Sequence, residues 1–140
     1  MSPEFRFVFD TSSTVSALLF EHSVPGKAYY TALDRGRLLI SAATFSELAD
    51  ILGREKFDRY VSRSDREQFL VRLLREALLI DVSEVIQVCR DPTDDKFLEL
   101  ATCGGSSCIV TSDQDLLVLK SFRNIPLLTP AEFHQWIAGP

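Results

Sequence analysis

The amino-acid sequence predicts an α/β fold: a single domain, residues 1–140, with a parallel sheet of about five strands and helices on both faces. Short apolar segments rich in β-branched and aromatic residues alternate with longer segments of helical periodicity. This alternation is typical of βαβ units, whose right-handed crossovers place helices on both faces of a parallel sheet. The chain has 140 residues, 46% hydrophobic and 25% charged, as expected for one globular domain.

Five segments are predicted to be strands. The first runs from Phe5 to Phe9 and ends at Asp10, and this aromatic and β-branched run is too short for a helix. The segment Cys-Ile-Val-Thr that ends at Thr111 has the uninterrupted apolar character of a strand buried on both sides. We expect strands at residues 5–9, 38–40, 78–82, 108–111 and 125–128, the last of them at an edge of the sheet.

Capping residues and chain breaks place the helices between these strands. Thr44 is predicted to begin a helix that has Glu47 in its first turn, and Ser64, with Glu67 three residues later, is predicted to cap a longer helix. Pro130 fits the first position of a terminal helix. The predicted helices cover residues 13–20, 28–33, 44–52, 55–60, 64–77, 94–101, 113–120 and 131–137.

Four acidic residues fall near the carboxyl ends of the predicted strands. Asp10 directly follows the first strand, and Asp113 follows the strand 108–111 by one residue. Glu47 lies in the first turn of the helix after the second strand, and Asp94 begins the helix before the fourth strand. Because ligands bind at the carboxyl ends of the strands in open parallel sheets, we expect these four acids to share one rim.

Carboxylates gathered at one rim repel one another unless a cation lies among them. Oxygen ligands without nearby His or Cys favour Mg²⁺ or Mn²⁺, which retain several waters and bind substrate phosphates. Two such ions, about 4 Å apart, would activate a water and stabilise the leaving oxygen in phosphodiester cleavage. His22 and His134 lie away from the acids in the sequence. The residues therefore indicate a metal-dependent nuclease.

Each of these acids also has a purely structural explanation. Asp10, Asp94 and Asp113 each precede a helix and could cap it, with Asp91 as an alternative cap beside Asp94. Glu47 has the spacing of a capping box with the threonine three residues before it. Thr, Ser or Asn would cap these helices without mutual repulsion, so the four acids together favour a metal site over four independent caps.

Four motifs resemble those of a known family, the PIN domains. The segment Val-Phe-Asp-Thr-Ser-Ser-Thr-Val-Ser-Ala-Leu-Leu from Val8 resembles their opening motif, and Ser-Glu-Leu-Ala-Asp-Ile-Leu from Ser46 resembles the second. The segment Arg-Asp-Pro-Thr-Asp-Asp-Lys-Phe-Leu-Glu-Leu-Ala from Arg90 is similar to the third motif, and Ile-Val-Thr-Ser-Asp-Gln-Asp-Leu-Leu from Ile109 to the fourth. The resemblance extends over residues 7–136 and includes the VapC-type toxins of toxin–antitoxin pairs.

The resemblance implies a Mg²⁺- or Mn²⁺-dependent endoribonuclease that acts on single-stranded or structured RNA. It also implies a homodimer and an antitoxin protein that inserts into the active site. The catalytic metal ligands of the family map onto Asp10, Glu47, Asp94 and Asp113, and two supporting ligands onto Asp95 and Asp115. Asp94 is preferred to Asp95 as the third ligand because Phe97 and Ala101 then occupy the apolar positions of that motif.

Residues next to the acids are candidates for orienting the substrate. The first motif of the family usually continues Asp-Thr-Asn, whereas this chain has Ser12, whose hydroxyl can still orient a ligand or a phosphate. Thr111 and Ser112 could contact a scissile phosphate or simply turn the chain at the end of a strand. Arg90 and Lys96 flank the third motif and could contact RNA phosphates or an antitoxin, or remain solvated charges.

Composition limits the partners and the cellular compartment. A formal net charge of −5 is unlike a broad surface for duplex DNA, but permits local binding of a short single strand beside divalent ions. No run reaches the roughly 18 apolar residues that a membrane span requires, so no membrane partner is expected. Three cysteines without a CxxC pair fit neither a zinc site nor a disulfide framework, which favours a reducing cytoplasm.

Two other functions remain open from the sequence. The same acidic site could serve RNA processing or DNA cleavage, because carboxylates alone do not distinguish a 2′-hydroxyl. Alternatively, the chain could be a non-catalytic PIN-like module that binds a partner and retains its acids as helix caps.

Overall fold

The computed structural model describes residues 4–139, which form a six-stranded sheet with helices on both faces. The strands are β1 (Phe5–Phe9), β2 (Gly36–Ile40), β3 (Leu78–Leu79), β4 (Cys108–Val110), β5 (Ser121–Phe122) and β6 (Ile125–Leu128). Their order across the sheet is β3-β2-β1-β4-β6-β5, and every neighbouring pair is parallel except β5 and β6. The predicted α/β fold is therefore confirmed over these residues; residues 1–3 and 140 of the predicted domain lie outside them.

Helices connect the strands in the alternation that the sequence predicts. They are α1 (Thr11–Leu19), α2 (Val24–Arg35), α3 (Ala42–Leu52), α4 (Arg63–Glu76), α5 (Asp95–Gly104), α6 (Gln114–Leu117) and α7 (Pro130–Ala138). Short 3₁₀ helices at Glu55–Phe57 and Pro92–Asp94 precede α4 and α5. Within residues 4–139, none of the helices combines the length and the hydropathy needed to cross a membrane.

The central strand β1 separates two layers of core. Phe7 and Phe9 belong to one apolar cluster, whereas Val8 between them belongs to the other. Successive side chains of a strand point to opposite faces, so a strand buried on both sides must be apolar at every position. This explains why Phe7–Phe9 of β1 and Cys108–Val110 of β4, which are buried, are apolar at consecutive positions.

Two predictions about the edges of the sheet are wrong in detail. The predicted strand 78–82 forms a strand only at Leu78–Leu79, and one further hydrogen bond, from the Ile80 N–H to the Ile40 carbonyl at 2.8 Å, ends the pairing where β2 ends. Strand β6 is not an edge, because β5 pairs with it in an antiparallel hairpin. The two residues between them, Arg123 and Asn124, have φ values of 49° and 68°. Positive φ at both positions matches the twist of a two-residue hairpin, although Arg-Asn is not among its strong sequence signals.

Five helices, namely α1, α2, α3, α4 and α7, begin one to four residues earlier than the sequence predicts. For two of them the capping residue also differs from the expected one. Helix α4 is capped by Ser62, whose hydroxyl accepts a hydrogen bond from the Asp65 N–H at 3.0 Å, rather than by Ser64. Helix α3 is capped by Ser41 rather than opened by Thr44. In both cases a second Ser or Thr a few residues away satisfies the same preference for a short oxygen-bearing side chain.

The register of the sheet determines where the chain can place polar groups. Strands β1 and β4 pair with Phe9 opposite Val110, so both strands end at the same level. Beyond that level, the Asp10 N–H donates to the Val110 carbonyl at 3.0 Å, and the Thr111 N–H donates to the Leu128 carbonyl at 2.9 Å. The side chains of Asp10 and Thr111 are thereby brought next to each other at the carboxyl ends of the central strands.

Close packing of β1 against β2 makes Gly36 sensitive to substitution. A Cβ at this position would lie 2.3 Å from the Phe5 carbonyl oxygen and 2.8 Å from the Phe5 Cβ. We expect Gly36→Ala to destabilise the chain by about 1–3 kcal/mol in urea unfolding, because atoms close to the backbone must move. Gly53→Ala is the control, since its Cβ would approach nothing closer than 3.3 Å, and its effect should stay within about 1 kcal/mol. Equal stability of the two variants would contradict this packing.

Candidate active site

A cleft of about 580 Å³ opens where β1 and β4 end. Its lining includes all four acids predicted from the sequence, namely Asp10, Glu47, Asp94 and Asp113. Ser12 and Ser112 also line the cleft. The remaining walls come from α1, from α3, from the segment that follows α3 and from Phe97 of α5. Residues far apart in the sequence therefore meet at one rim of the sheet.

Asp10 has two bonded oxygens at the end of β1. Its Oδ1 accepts a hydrogen bond from the Ser13 N–H at 3.0 Å, so the residue does cap α1, as the structural explanation required. Its Oδ2 accepts from the Thr111 hydroxyl at 2.6 Å. Each carboxylate oxygen has a further lone pair, so capping and binding of a ligand in the cleft are compatible.

Thr111 connects the two strand ends through its hydroxyl. While donating to Asp10, this hydroxyl accepts a hydrogen bond from the Asp113 N–H at 3.0 Å. The Thr111 side chain is fully buried, so it cannot contact a substrate. It instead orients the Asp10 carboxylate and the backbone of Asp113 from within the core. Asp113 in turn caps α6, with its Oδ1 accepting from the Asp115 N–H at 2.9 Å.

Glu47 is not part of a helix cap. The capping box of α3 is formed by Ser41 and Thr44, and the Thr44 hydroxyl accepts a hydrogen bond from the Ser41 N–H at 3.0 Å. Since α3 begins at Ala42, Glu47 lies beyond the first turn, and the predicted capping box between Thr44 and Glu47 is wrong. Its carboxylate is thereby left available to the cleft.

Lys96 forms an ion pair with Glu47, one of the acids that line the cleft. Its ammonium donates to Glu47 Oε1 at 3.1 Å and also to the Thr93 carbonyl, while the Thr11 hydroxyl donates to Glu47 Oε2. The two charged side chains are only 18% and 30% exposed, so Lys96 is not the solvated charge that the sequence allowed. The pair places one positive charge among the carboxylates.

Asp94 is the least satisfied acid of the cleft. It precedes α5 but makes no capping hydrogen bond, and its Oδ2 is buried without a partner among residues 4–139. Burial, together with the negative charges of Asp113 and Asp91, raises the pKa of Asp94 from 3.8 to about 6. Lys96 offsets part of this effect. The side chain therefore lacks a stabilising partner that a cation would supply.

Asp95 faces away from the other acids, although it is their neighbour in sequence. Its Oδ1 accepts hydrogen bonds from the N–H groups of Val88 and Cys89, at 3.1 and 2.8 Å. Burial opposes ionisation of Asp95, but these hydrogen bonds outweigh it and lower its pKa. Burial, together with the adjacent Asp95, raises the pKa of the Cys89 thiol to about 12.

A group of three acids has oxygens close enough to share a cation. Carboxylate oxygens of Asp91, Asp94 and Asp115 lie within 4.8 Å of one another. The sequence predicts Asp115 as a supporting ligand, whereas it suggests Asp91 only as a helix cap. Asp91 also accepts hydrogen bonds from Thr93, which lower its pKa. Asp94 thus lies in both this group and the cleft and connects them.

The donors present suit a hard divalent cation. They are carboxylate oxygens, one of which is buried and unpartnered, and Mg²⁺ and Mn²⁺ prefer such ligands.

The sequence did not predict the contacts of Glu47 with Thr11 and Lys96. These residues are separated from Glu47 by 36 and 49 positions along the chain, and no local pattern links residues so far apart. For the group of three acids, the sequence did offer one signal: Asp91 begins the acidic string Asp-Pro-Thr-Asp-Asp.

A sequence profile of the PIN domain matches residues 6–115 of this chain. The chain belongs to the PIN-domain family. This PIN domain is 26% identical, over 140 aligned residues, to the uncharacterized protein MJ1680 of Methanocaldococcus jannaschii, with 93% of this chain and 90% of that protein covered.

Solved structures share the fold at low sequence identity. VapBC2 of Rickettsia felis, bound to a DNA fragment from its promoter, has a TM-score of 0.59 at 14% identity, with 88% of this chain and 97% of that chain covered. PAE2754 of Pyrobaculum aerophilum has a TM-score of 0.61 at 15% identity, with 96% of this chain and 90% of that chain covered. VapC20 of Mycobacterium tuberculosis, a toxin that cleaves the sarcin-ricin loop, has a TM-score of 0.54 at 12% identity, with 86% of this chain and 98% of that chain covered. The fold of this PIN domain is thus that of VapC toxins.

The bridging hydroxyl of Thr111 gives the first prediction for the site. Thr111→Val keeps the shape of the side chain but leaves Asp10 Oδ2 and the Asp113 N–H without their partner. We expect a loss of about 1–3 kcal/mol in urea unfolding. Thr102→Val is the matched control, because the buried Thr102 hydroxyl has no partner within the described part of the chain, and it should be neutral or stabilising. A neutral Thr111→Val would refute the bridging role.

The neighbouring acids Asp94 and Asp95 should respond oppositely to substitution by Asn in metal-free protein. The raised pKa of Asp94 means that its contribution to stability is present below pH 3.8 and is lost as the pH rises through about 6. Asp94→Asn should therefore raise the melting temperature by a few degrees at pH 7 and by less at pH 4.

Asp95→Asn should lower the melting temperature at pH 7, because a lowered pKa stabilises the fold above the ordinary pKa of the carboxyl. Thermal unfolding by circular dichroism in a chelator measures both variants. Shifts of the same sign at pH 7 would contradict the assigned environments.

Proposed function

We propose that this PIN domain is a metal-dependent endoribonuclease and the toxin of a toxin–antitoxin pair. The observation that carries the proposal is Asp94, whose buried and unpartnered oxygen belongs to a cleft shared with three further acids. An isolated structural acid would instead be expected to have its hydrogen bonds satisfied, as Asp95 does. The VapC fold supports the same interpretation, since VapC20 is a toxin that cleaves the sarcin-ricin loop.

A Mg²⁺ or Mn²⁺ ion would be held by the acids of the cleft, Asp10, Glu47, Asp94 and Asp113. Asp91 and Asp115, whose carboxylate oxygens lie within 4.8 Å of those of Asp94, would support it. When bound, such an ion lowers the pKa of a water and stabilises charge on the leaving oxygen. Thr111 keeps Asp10 and Asp113 in fixed positions without contacting the substrate.

Lys96 neutralises Glu47 and so reduces the repulsion that an incoming phosphate meets. Ser12 and Ser112 line the cleft and are in position to donate hydrogen bonds to that phosphate. The hydrogen bonds from Thr11 and Lys96 also hold the Glu47 carboxylate in one orientation.

The substrate would be single-stranded or looped RNA, because an open cleft accepts a strand whose backbone can bend into it. An antitoxin would inhibit by filling the same cleft, and the presence of VapB with VapC in the Rickettsia felis structure supports a partner of this kind. A homodimer and a cytoplasmic location belong to the same proposal.

A non-catalytic module remains the second candidate, and one observation favours it. Asp10 and Asp113 do cap α1 and α6, so two of the acids have a structural use that needs no metal. The caps do not explain Asp94 or Glu47, neither of which makes a capping hydrogen bond. Asp94 is therefore the acid whose substitution tests catalysis most directly.

Cleavage of RNA with divalent metal present tests the two candidates. We expect the wild-type chain to cleave labelled RNA with Mn²⁺ or Mg²⁺, and Asp94→Asn to lower the rate by at least about 100-fold, because the ion loses a charged ligand. Asp10→Asn, which preserves the cap, should have a similar effect. Asp34→Asn on the exposed face of α2 is the matched control and should cleave normally.

Full activity of both Asp94→Asn and Asp10→Asn would disprove the proposed site. Failure of the wild-type chain to bind Mn²⁺ at millimolar concentration would favour the non-catalytic module. Equal cleavage of an RNA and a DNA of the same sequence at fixed salt would favour a nuclease that does not select RNA.

A further inference from the structure

One wall of the cleft is basic. Arg54 and Lys56 line the cleft together with the acids, and both are exposed. They belong to residues 53–62, the segment between α3 and α4, which we call the basic segment because it contains Arg54, Lys56 and Arg59. The same cleft therefore offers carboxylates to a metal ion and cations to a phosphate chain.

The cations of this wall are weakly paired. Arg54 lies 3.7 Å from Asp50, with both side chains more than half exposed, a geometry worth little in water. Lys56 has no carboxylate partner within residues 4–139, and its ammonium lies over the Phe57 ring, 5.1 Å from the centroid. Both charges therefore remain available to an anion that enters the cleft.

The backbone of the basic segment is fixed by a buried arginine. Arg66 of α4 is only 2% exposed, and its Nη1 donates to the carbonyls of Leu52 and Arg54 at 2.7 and 3.0 Å. Its Nη2 bonds the carboxylate of Asp58. Phe57 is buried in the core between these contacts. A segment this well held keeps its exposed cations in place, which reduces the ordering cost of binding.

We propose that the basic segment binds the RNA backbone: Arg54 and Lys56 contact phosphates that flank the scissile phosphate, and Arg66 acts as a positioning residue. The inference rests on the proposed ribonuclease function and deepens it. A chain with a net charge of −5 and a cleft rich in carboxylates repels a polyanion overall. Local cations beside the acids overcome that repulsion where the strand must lie, without selecting its sequence.

The test measures RNA binding separately from cleavage. In an Asp94→Asn background, a labelled unstructured RNA of about 12 nucleotides is titrated by fluorescence anisotropy at several salt concentrations. We expect Arg54→Gln with Lys56→Gln to weaken binding about tenfold. The slope of log affinity against log salt should fall by about 0.7 for each phosphate that the variant no longer neutralises. The matched controls Lys27→Gln and Arg75→Gln, which line other surface depressions, should change neither quantity.

Arg66 is tested through a double-mutant cycle. Arg66→Met should lower RNA affinity in the Asp94→Asn background but have no further effect when Arg54 and Lys56 are already Gln, because it acts through them. A purely structural role would instead give the same loss in both backgrounds. If Arg66→Met does not fold, Arg66→Lys takes its place, since an ammonium cannot reproduce the forked contacts to two carbonyls and a carboxylate.

The outcomes separate this inference from the function on which it rests. If the wild-type chain cleaves RNA while the double Gln variant keeps its affinity and salt slope, the basic segment is not the binding wall and the nuclease function stands. If the wild-type chain neither binds nor cleaves any RNA, both fail. Weaker binding with a reduced salt slope in the double variant alone supports the inference.

Discussion

The carboxylates at the ends of β1 and β4 lie side by side although their charges repel, and the architecture of the site depends on how that repulsion is offset. The Thr111 hydroxyl bridges Asp10 and the backbone of Asp113, helix caps take one oxygen each from Asp10 and Asp113, and Lys96 neutralises Glu47. Asp94 alone is left with a buried oxygen that has no partner in residues 4–139. The fold therefore brings the acids together and leaves Asp94 without the partner that an external cation would supply.

Capping and metal binding are not exclusive explanations of the same residue. Asp10 shows why, since the oxygen that caps α1 and the oxygen bonded by Thr111 each retain a lone pair. The cap fixes the rotamer of the side chain, and a fixed rotamer is what a ligand needs. A helix that begins directly at the end of a parallel strand thus supplies orientation to the acid that starts it.

Much of the fold and of the site could be predicted from the sequence, and the failures have physical causes. The positions of Asp10 and Asp113 follow from the strands before them, because an apolar run that stops at an acid marks the rim of a parallel sheet. The environment of Glu47 did not follow, because Thr11 and Lys96 reach it from different helices. The opposite orientations of Asp94 and Asp95 depend on N–H groups of Val88 and Cys89, in a loop without a sequence signal. Caps were misplaced where two hydroxyl residues competed, as at Ser62 and Ser64.

The hairpin of β5 and β6 has a consequence for assembly. Both outermost strands, β3 and β5, are two residues long, so neither edge presents a row of free backbone groups long enough for another chain to extend the sheet. Arg123 at the hairpin turn is also engaged, through an ion pair with Glu84 at 2.6 Å. Within residues 4–139, the short edge strands thus disfavour extension of the sheet by another chain and favour association through side chains on the helical faces, where charge and shape select what binds.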